Sequence, residues 1–554
     1  MKKKGKEIMK KNIKKCFALL LAVVMTLTMA MTVFAEDATT KKYTLKITNQ
    51  NKYDTEVQYD VYQLFLCNLD ANNVPSYTAT GQNAALVNGN TVEEVAAMSP
   101  DALYQLVARI STKDIVPYTT LKTNQAISVP AGYYLVVPTN IADTKDTDRD
   151  NLNNEGGTVS APILVAVPQV DKKVEGNYVV TPDVVVTAKS SETSHEKKIT
   201  DVISLYGTPD TFSTSGDTAT SGAGDTIEYT ITNTVPEYKS DVDLTKVNYF
   251  VTDEYDEKLT LSPDADAITV TVPSSLTAGK GIKNVAVKAK NGNEREVTRV
   301  DGGDYFVARD DAHHKFIVYF NFDKIKKLNA PQVVINAKFK LNEKATPGTA
   351  VVNNSKLTYT NNYYTGTDSD LADRVNSYTF KFNVYKYDTK TEEALPGATF
   401  GLYTDRECTN KISEATSLEA TSSTKGVVDF GILLNEGTYY VKEITAPNGY
   451  RVDEHVYKVE ITGTKLENGE YDGSYTVKVD DVNVLTNAVE VDNKTIYTDN
   501  IHNIPVLGIG NTPGLTLPGT GGIGTTLFTF GGIALILIAG VMFIIYTRKQ
   551  KKQS

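Results

Sequence analysis

The chain has 554 residues, 57 of them basic and 67 acidic, giving a net charge of −10, with three cysteines and no tryptophan. An acidic surface repels phosphate backbones and anionic lipid, which sets aside nucleic acid and membrane surfaces as partners of the folded body. Three cysteines in a chain of this length exclude a disulfide framework.

Met1 to Lys15 carries eight lysines and one glutamate, and an apolar run follows from Cys16 to Phe34. Val33-Phe34-Ala35 makes a small-residue cleavage site before Glu36, so residues 1–35 read as a secretory signal peptide. Its removal takes Cys16 and leaves Cys67 and Cys408, which fall in different expected domains. An exported chain without a bridge must draw its stability from elsewhere.

From Asp37 onward, short alternating runs of Thr, Val, Ile and Tyr are separated by Gly, Asn, Asp and Pro. Ile227–Ile231, Ile268–Val272 and Tyr457–Ile461 read as strands with one buried face. One helix is expected, over Val92 to Ile110, from Val95, Met98, Leu103, Leu106, Val107 and Ile110. The expected fold class is all-β, as three tandem immunoglobulin-like β-sandwich domains. Polar stretches at 189–194 and 366–377 divide them into Asp37–Lys189, Ser190–Asn376 and Ser377–Asn503. Ile504 to Thr516, rich in Gly, Pro and Asn, reads as a linker.

Metal chemistry finds little support. Asp146-x-Asp148-x-Asp150 has Asn151 and Gly157 where a calcium loop needs glycine and glutamate, so it reads as a polar loop. His313-His314 has no partner at ligand spacing, and no cofactor motif is present.

At the C-terminus, Leu517-Pro518-Gly519-Thr520-Gly521 precedes an uncharged stretch from Thr525 to Tyr546 and the basic tail Arg548-Lys549-Gln550-Lys551-Lys552. The stretch is long enough to cross a bilayer, and the tail fits a cytoplasmic stop. This order resembles the wall-sorting signal of sortase substrates of Gram-positive bacteria. The resemblance implies cleavage between Thr520 and Gly521, a thioester on Thr520, and attachment to peptidoglycan. The expected location is the cell wall and cell surface, with membrane contact only before sorting. Losing both ends lowers the net charge to −21.

The third domain opens with Phe382-Asn383-Val384-Tyr385-Lys386-Tyr387-Asp388 and later reads Tyr439-Tyr440-Val441-Lys442-Glu443-Ile444-Thr445-Ala446-Pro447-Asn448-Gly449-Tyr450. It resembles a Cna-B-type domain with its E-box. The resemblance implies an amide bond between Lys386 and an asparagine near the domain end, assisted by Glu443. Asn500 is the expected asparagine and Asn503 the alternative. The chemistry suits burial, which keeps a lysine neutral and nucleophilic and a glutamate protonated.

The second domain carries His195-Glu196-Lys197-Lys198-Ile199, Val251-Thr252-Asp253 and Val352-Asn353-Asn354 in an order that resembles the middle domain of shaft pilins. The resemblance implies an analogous bond between Lys198 and Asn353, assisted by Asp253, with Lys197 and Asn354 as alternatives. At the end of the first domain, Val180 to Lys189 keeps the valines and terminal lysine of the pilin motif and lacks its aromatic residues and proline. Lys189 is then the expected acceptor of the Thr520 acyl group, with Lys172 or Lys173 as alternatives.

Taken together, the chain resembles the SpaA-type major pilins that sortases assemble into wall-anchored shafts. The resemblance implies a structural protein rather than an enzyme. Its expected partners are sortase, further copies joined head to tail, tip or minor pilins, and a host-surface ligand. The alternative is a wall-anchored adhesin or minor pilin that makes no use of Lys189.

Overall fold

The computed structural model describes residues 41–49, 57–79, 83–113, 115–141, 152, 154–158, 160–172, 178–206, 216–290, 292–417, 425–499, 502–514 and 523–551. The signal segment, the Asp146–Asp150 loop and the Leu517–Gly521 motif lie outside the described residues.

The body is all-β and forms three successive sheet-on-sheet units. In the first, strand Lys42–Asn49 lies between Asp183–Ala188, parallel to it, and Ala126–Pro130, antiparallel. A second sheet orders Pro75–Ala79, Val57–Leu69, Gly132–Ile141 and Ile163–Val167, with Thr119–Lys122 added on Val57–Leu69. Side chains alternate faces along a strand. Tyr59 and Val61 therefore enter the core between the sheets, while Tyr62 and Leu64 enter a second core under short helices.

The expected helix over Val92 to Ile110 is two helices, Val92–Ala96 and Pro100–Thr112. Pro100 cannot extend the first one, and the residue before a proline is driven to extended geometry. Ser99 accordingly has ψ 158° and caps the second helix through Ala102 N–H at 3.3 Å. Thr91 and Glu94 close the first helix with a reciprocal capping box.

The second unit packs two six-stranded sheets. One includes Ser191–Ile203, Thr226–Thr234 and Gln332–Leu341; the other includes Tyr249–Tyr255, Lys315–Phe320, Val351–Asn362 and Thr367–Tyr378. Ile227, Tyr229 and Ile231, with Phe339 on the neighbouring strand, face Val251, Phe316 and Leu357 of the other sheet in a shared core. Each such side chain contributes about 1.5–3 kcal/mol on burial. Strand Glu155–Thr158, which precedes the last strand of the first unit, pairs with Ser191–Ser194 of the second. Gly157 allows that approach, because a Cβ there would meet Ser191 O at 2.3 Å. The two units also meet where Tyr104, on helix Pro100–Thr112, stacks on Tyr364 with ring centroids 3.6 Å apart.

In the third unit, strand Asn383–Asp388 lies between Val427–Val428 and Val506–Asn511. It faces a six-stranded sheet containing Thr399–Tyr403, Gly437–Thr445, Val456–Lys465 and Tyr471–Val479. The segment expected as a linker, Ile504 to Thr516, thus supplies the last strand of the unit. Its Leu507 and Ile509 enter the core, and it runs parallel to Asn383–Asp388. Gly508 and Gly510 admit the neighbouring chain, since a Cβ at Gly510 would sit 2.7 Å from Thr389 Cγ2. Ile523–Gln550 forms one helix, of which Phe528–Gln550 is long and apolar enough to cross a membrane.

Candidate functional site

Two buried clusters, one in each of the last two units, join an amine, a carboxyl and a carboxamide. In the third unit, Lys386 is on the first strand, Asn511 on the last, and Glu443 on the opposite sheet. Their side chains are shut off from solvent, with exposures of 0%, 1% and 1% for Lys386, Asn511 and Glu443. Lys386 Nζ donates to Ile509 O at 3.1 Å and to Asn511 Oδ1. Asn511 Nδ2 donates to Glu443 Oε1 at 2.9 Å and Oε2 at 3.2 Å. Glu443 Oε1 is 3.6 Å from Lys386 Nζ, and its Oε2 accepts Asp453 N–H at 2.6 Å. The ring of Phe400 lies 5.8 Å from the amine.

Burial lowers the Lys386 amine to about 8, with Glu443 the largest opposing influence. A lowered amine is more often neutral, and a neutral amine is the nucleophile that an amide carbon requires. Glu443 touches both the amine and the carboxamide nitrogen, so one carboxyl can carry a proton from the first to the second.

Asn500 lies outside the described residues. Asn503 is exposed and bonded to Asn487 at 3.4 Å, so it is not the amide facing Lys386. Asn511 holds that place.

In the second unit, Lys197, Asp253 and Asn353 are each 0% exposed. Lys197 Nζ donates to Asp253 Oδ2, and Asn353 lies on the strand beside that of Asp253, paired with Tyr255. The Tyr229 ring covers the amine at 5.2 Å. Burial pushes the Lys197 amine down and the Asp253 carboxyl up, so the neutral forms of both are favoured. The expectation for Lys198 is corrected. Its amine is exposed and ion-paired with Glu196 at 2.6 Å, because adjacent residues of a strand face opposite ways. Asn354 is exposed for the same reason. His195, two residues before Lys197, is buried between Asn233 Oδ1 at 2.7 Å and Ser355 Oγ at 2.8 Å.

Lys189 is exposed where the first unit passes into the second. It borders a pocket of about 170 Å³ shared with Thr158, Glu237, Tyr238 and Lys239. Lys172 ends strand Gln169–Lys172, while Lys173 and Thr520 lie outside the described residues. Cys67 is buried, Cys408 half-buried, and neither is in a disulfide.

Strand parity carried a signal for Lys197, the stated alternative, and for Asn511, which was missed. Counting by twos from the apolar Ile199 reaches Lys197, and counting by twos from Leu507 and Ile509 reaches Asn511. What hid Asn511 was its segment's glycine and proline content.

Residues 380–472 match the family described as SpaA, prealbumin-like fold domain. Over 416 residues, 65% of this chain and 70% of the relative, the sequence is 24% identical to the trypsin-resistant surface T6 protein of Streptococcus pyogenes serotype M6. Among solved structures, the T6 backbone pilin of serotype M6 Streptococcus pyogenes aligns at 19% identity and TM-score 0.48, over 85% of this chain and 98% of that one. The full-length major pilin SpaD of Corynebacterium diphtheriae aligns at 17% identity and TM-score 0.46, over 85% and 97%.

Proposed function

We propose that this chain is the repeating structural subunit of a wall-anchored pilus shaft, stapled inside its second and third units and joined head to tail by sortase. The observation that carries the reading is the Lys386–Glu443–Asn511 cluster, which sets an amine of the first strand against an amide of the last. In the staple, the neutral Lys386 amine attacks Asn511 Cγ. An Nζ–Cγ bond forms, the Cγ–Nδ2 bond breaks, and ammonia leaves with a proton relayed by Glu443. Lys197, Asp253 and Asn353 have the same three functional groups for the second unit.

A staple at this place suits a load-bearing subunit. Tension would enter the third unit at its first strand and leave after its last. A Lys386–Asn511 bond lets that tension bypass the chain between two residues 125 positions apart. The likeness to a trypsin-resistant surface protein supports a surface location and a chain resistant to opening.

Assembly would follow from the Leu517–Gly521 motif. A sortase cysteine takes the Thr520 acyl group as a thioester, and an amine beside the first unit, Lys189, receives it from the next copy. Peptidoglycan is the final acceptor, and tip pilins and a host ligand complete the fibre.

The test is the intact mass of Glu36–Thr520, followed by laddering of the full chain with its host's sortases. Each staple removes one ammonia, about 17 Da by stoichiometry. A deficit of two ammonias with a ladder supports the reading. An undiminished mass removes the staples, and a chain that never ladders is a monomeric surface protein instead of a shaft.

A further inference from the structure

Two amines, not one, border the pocket where the first unit meets the second. Besides Lys189, the lining includes Lys239, Glu237, Tyr238, Tyr363 and Thr158. Lys239 stands on a loop tied to both units. Glu237 N–H donates to Ser191 Oγ at 2.8 Å, and Glu237 O accepts from Thr158 Oγ1 at 3.1 Å. On the next residue, Tyr238 Oη donates to Thr360 O at 2.5 Å. Beyond it, Val242 N–H closes a turn on Lys239 O at 3.0 Å, and Asp243 N–H donates to Tyr363 Oη at 3.0 Å. The loop is therefore pinned on both sides of Lys239, within two residues of Lys189 through Ser191.

The charges are apportioned unevenly. Glu237 is committed to Lys326 and the Asp101 carboxylate to Lys290. Lys189 and Lys239 are both exposed, and no ion pair among the described residues holds either. Partial burial draws the Lys239 amine below the ordinary lysine value; Asp241 opposes this and Lys189 reinforces it. Aminolysis of a thioester needs an amine that is accessible, neutral part of the time and fixed in place. Lys239 is accessible, its amine is lowered and its backbone is held by the pinned loop, at the same pocket as Lys189.

We infer that Lys239 is a second acyl-acceptor amine at this pocket, open to the same thioester donor as Lys189. The inference rests on the shaft reading and refines its linkage site. In the step, Lys239 Nζ attacks the Thr520 carbonyl carbon held on the sortase sulfur. The C–N bond forms, the C–S bond breaks, and the amine's proton passes to the departing thiolate. A subunit can thus receive its neighbour at either of two adjacent positions.

The experiment expresses the full chain with its host's sortases as wild type, K189R, K239R and the double variant. Ladders are read on gels, and branched peptides ending in Thr520 are sequenced by mass spectrometry. Arginine keeps the charge and cannot accept the acyl group at neutral pH. The expected result is a residual ladder in K189R, a Thr520–Lys239 branched peptide in it, and loss of that ladder in the double variant. Complete loss in K189R alone, or a residual ladder that survives the double variant, overturns the inference and leaves the shaft intact. A wild-type chain that does not ladder overturns the shaft reading and this one with it. An unchanged intact-mass deficit in each variant checks that the units still fold.

Discussion

Lys386 and Asn511 are 125 residues apart in the chain and meet side chain to side chain, because the first and last strands of the third unit run parallel and adjacent. Glu443 reaches both from the facing sheet. An amine, an amide and an acid brought together out of water are costly as charges and suited to condensation.

Replacing Glu443 with alanine removes the group that touches both reactants. The expected product is a folded third unit whose mass regains one ammonia. Chain-entropy arithmetic for a closed loop of this size gives a stability loss of about 5 kcal/mol if a staple behaves as a disulfide does. Intact mass and urea unfolding check it; a variant that keeps the wild-type ammonia deficit relative to its own calculated mass would show that Glu443 is dispensable.

The two asparagine candidates that the structure describes are separable. Asn511→Ala is expected to abolish the third-unit deficit, whereas Asn503→Ala, at an exposed position, leaves it unchanged. Peptide mapping after digestion decides, since only a joined pair yields a branched peptide containing Lys386.

The adjacent lysines of the second unit make a sharper contrast. Lys197→Arg is expected to lose the second ammonia deficit and to strain a fully enclosed site, while Lys198→Arg keeps the deficit and wild-type stability. Retention of the deficit in Lys197→Arg would point to a different amine.

An unreacted Lys386 carries a pH signature. In Asn511→Ala the amine stays free, with a folded pKa of about 8 against an ordinary 10.5. Below pH 8 both folded and unfolded states are protonated and the full cost of burying the cation is present. Between 8 and 10.5 the unfolded state binds more protons, so stability rises with pH. The gain is on the order of 3 kcal/mol. Subtracting the same curve for Asn511→Ala combined with Lys386→Met isolates it, and a flat difference would contradict the lowered amine.

Tyr104 belongs to the first unit yet is buried against the second, stacked on Tyr364. Tyr104→Ala is expected to cost about 3–5 kcal/mol at that junction, as for other large-to-small changes at buried aromatic positions. Faster limited proteolysis between the two units reads this out, and an unchanged cleavage rate would mean that the junction is held elsewhere.

The chain by itself determined the all-β class, the tandem units and the apolar C-terminal helix, and it singled out Lys386, Glu443, Asp253 and Asn353, which the fold buries. These are local properties: period-two alternation, a contiguous E-box, an uncharged run. Only the tertiary structure decided between Lys197 and Lys198, because a strand carries neighbouring side chains to opposite faces and the choice depends on which face meets the other sheet. It alone replaced the Asn503 alternative with Asn511. Parallel pairing of strands more than a hundred residues apart is a long-range contact, and the Gly-rich Val506–Asn511 segment becomes a strand only because Asn383–Asp388 offers it an open edge.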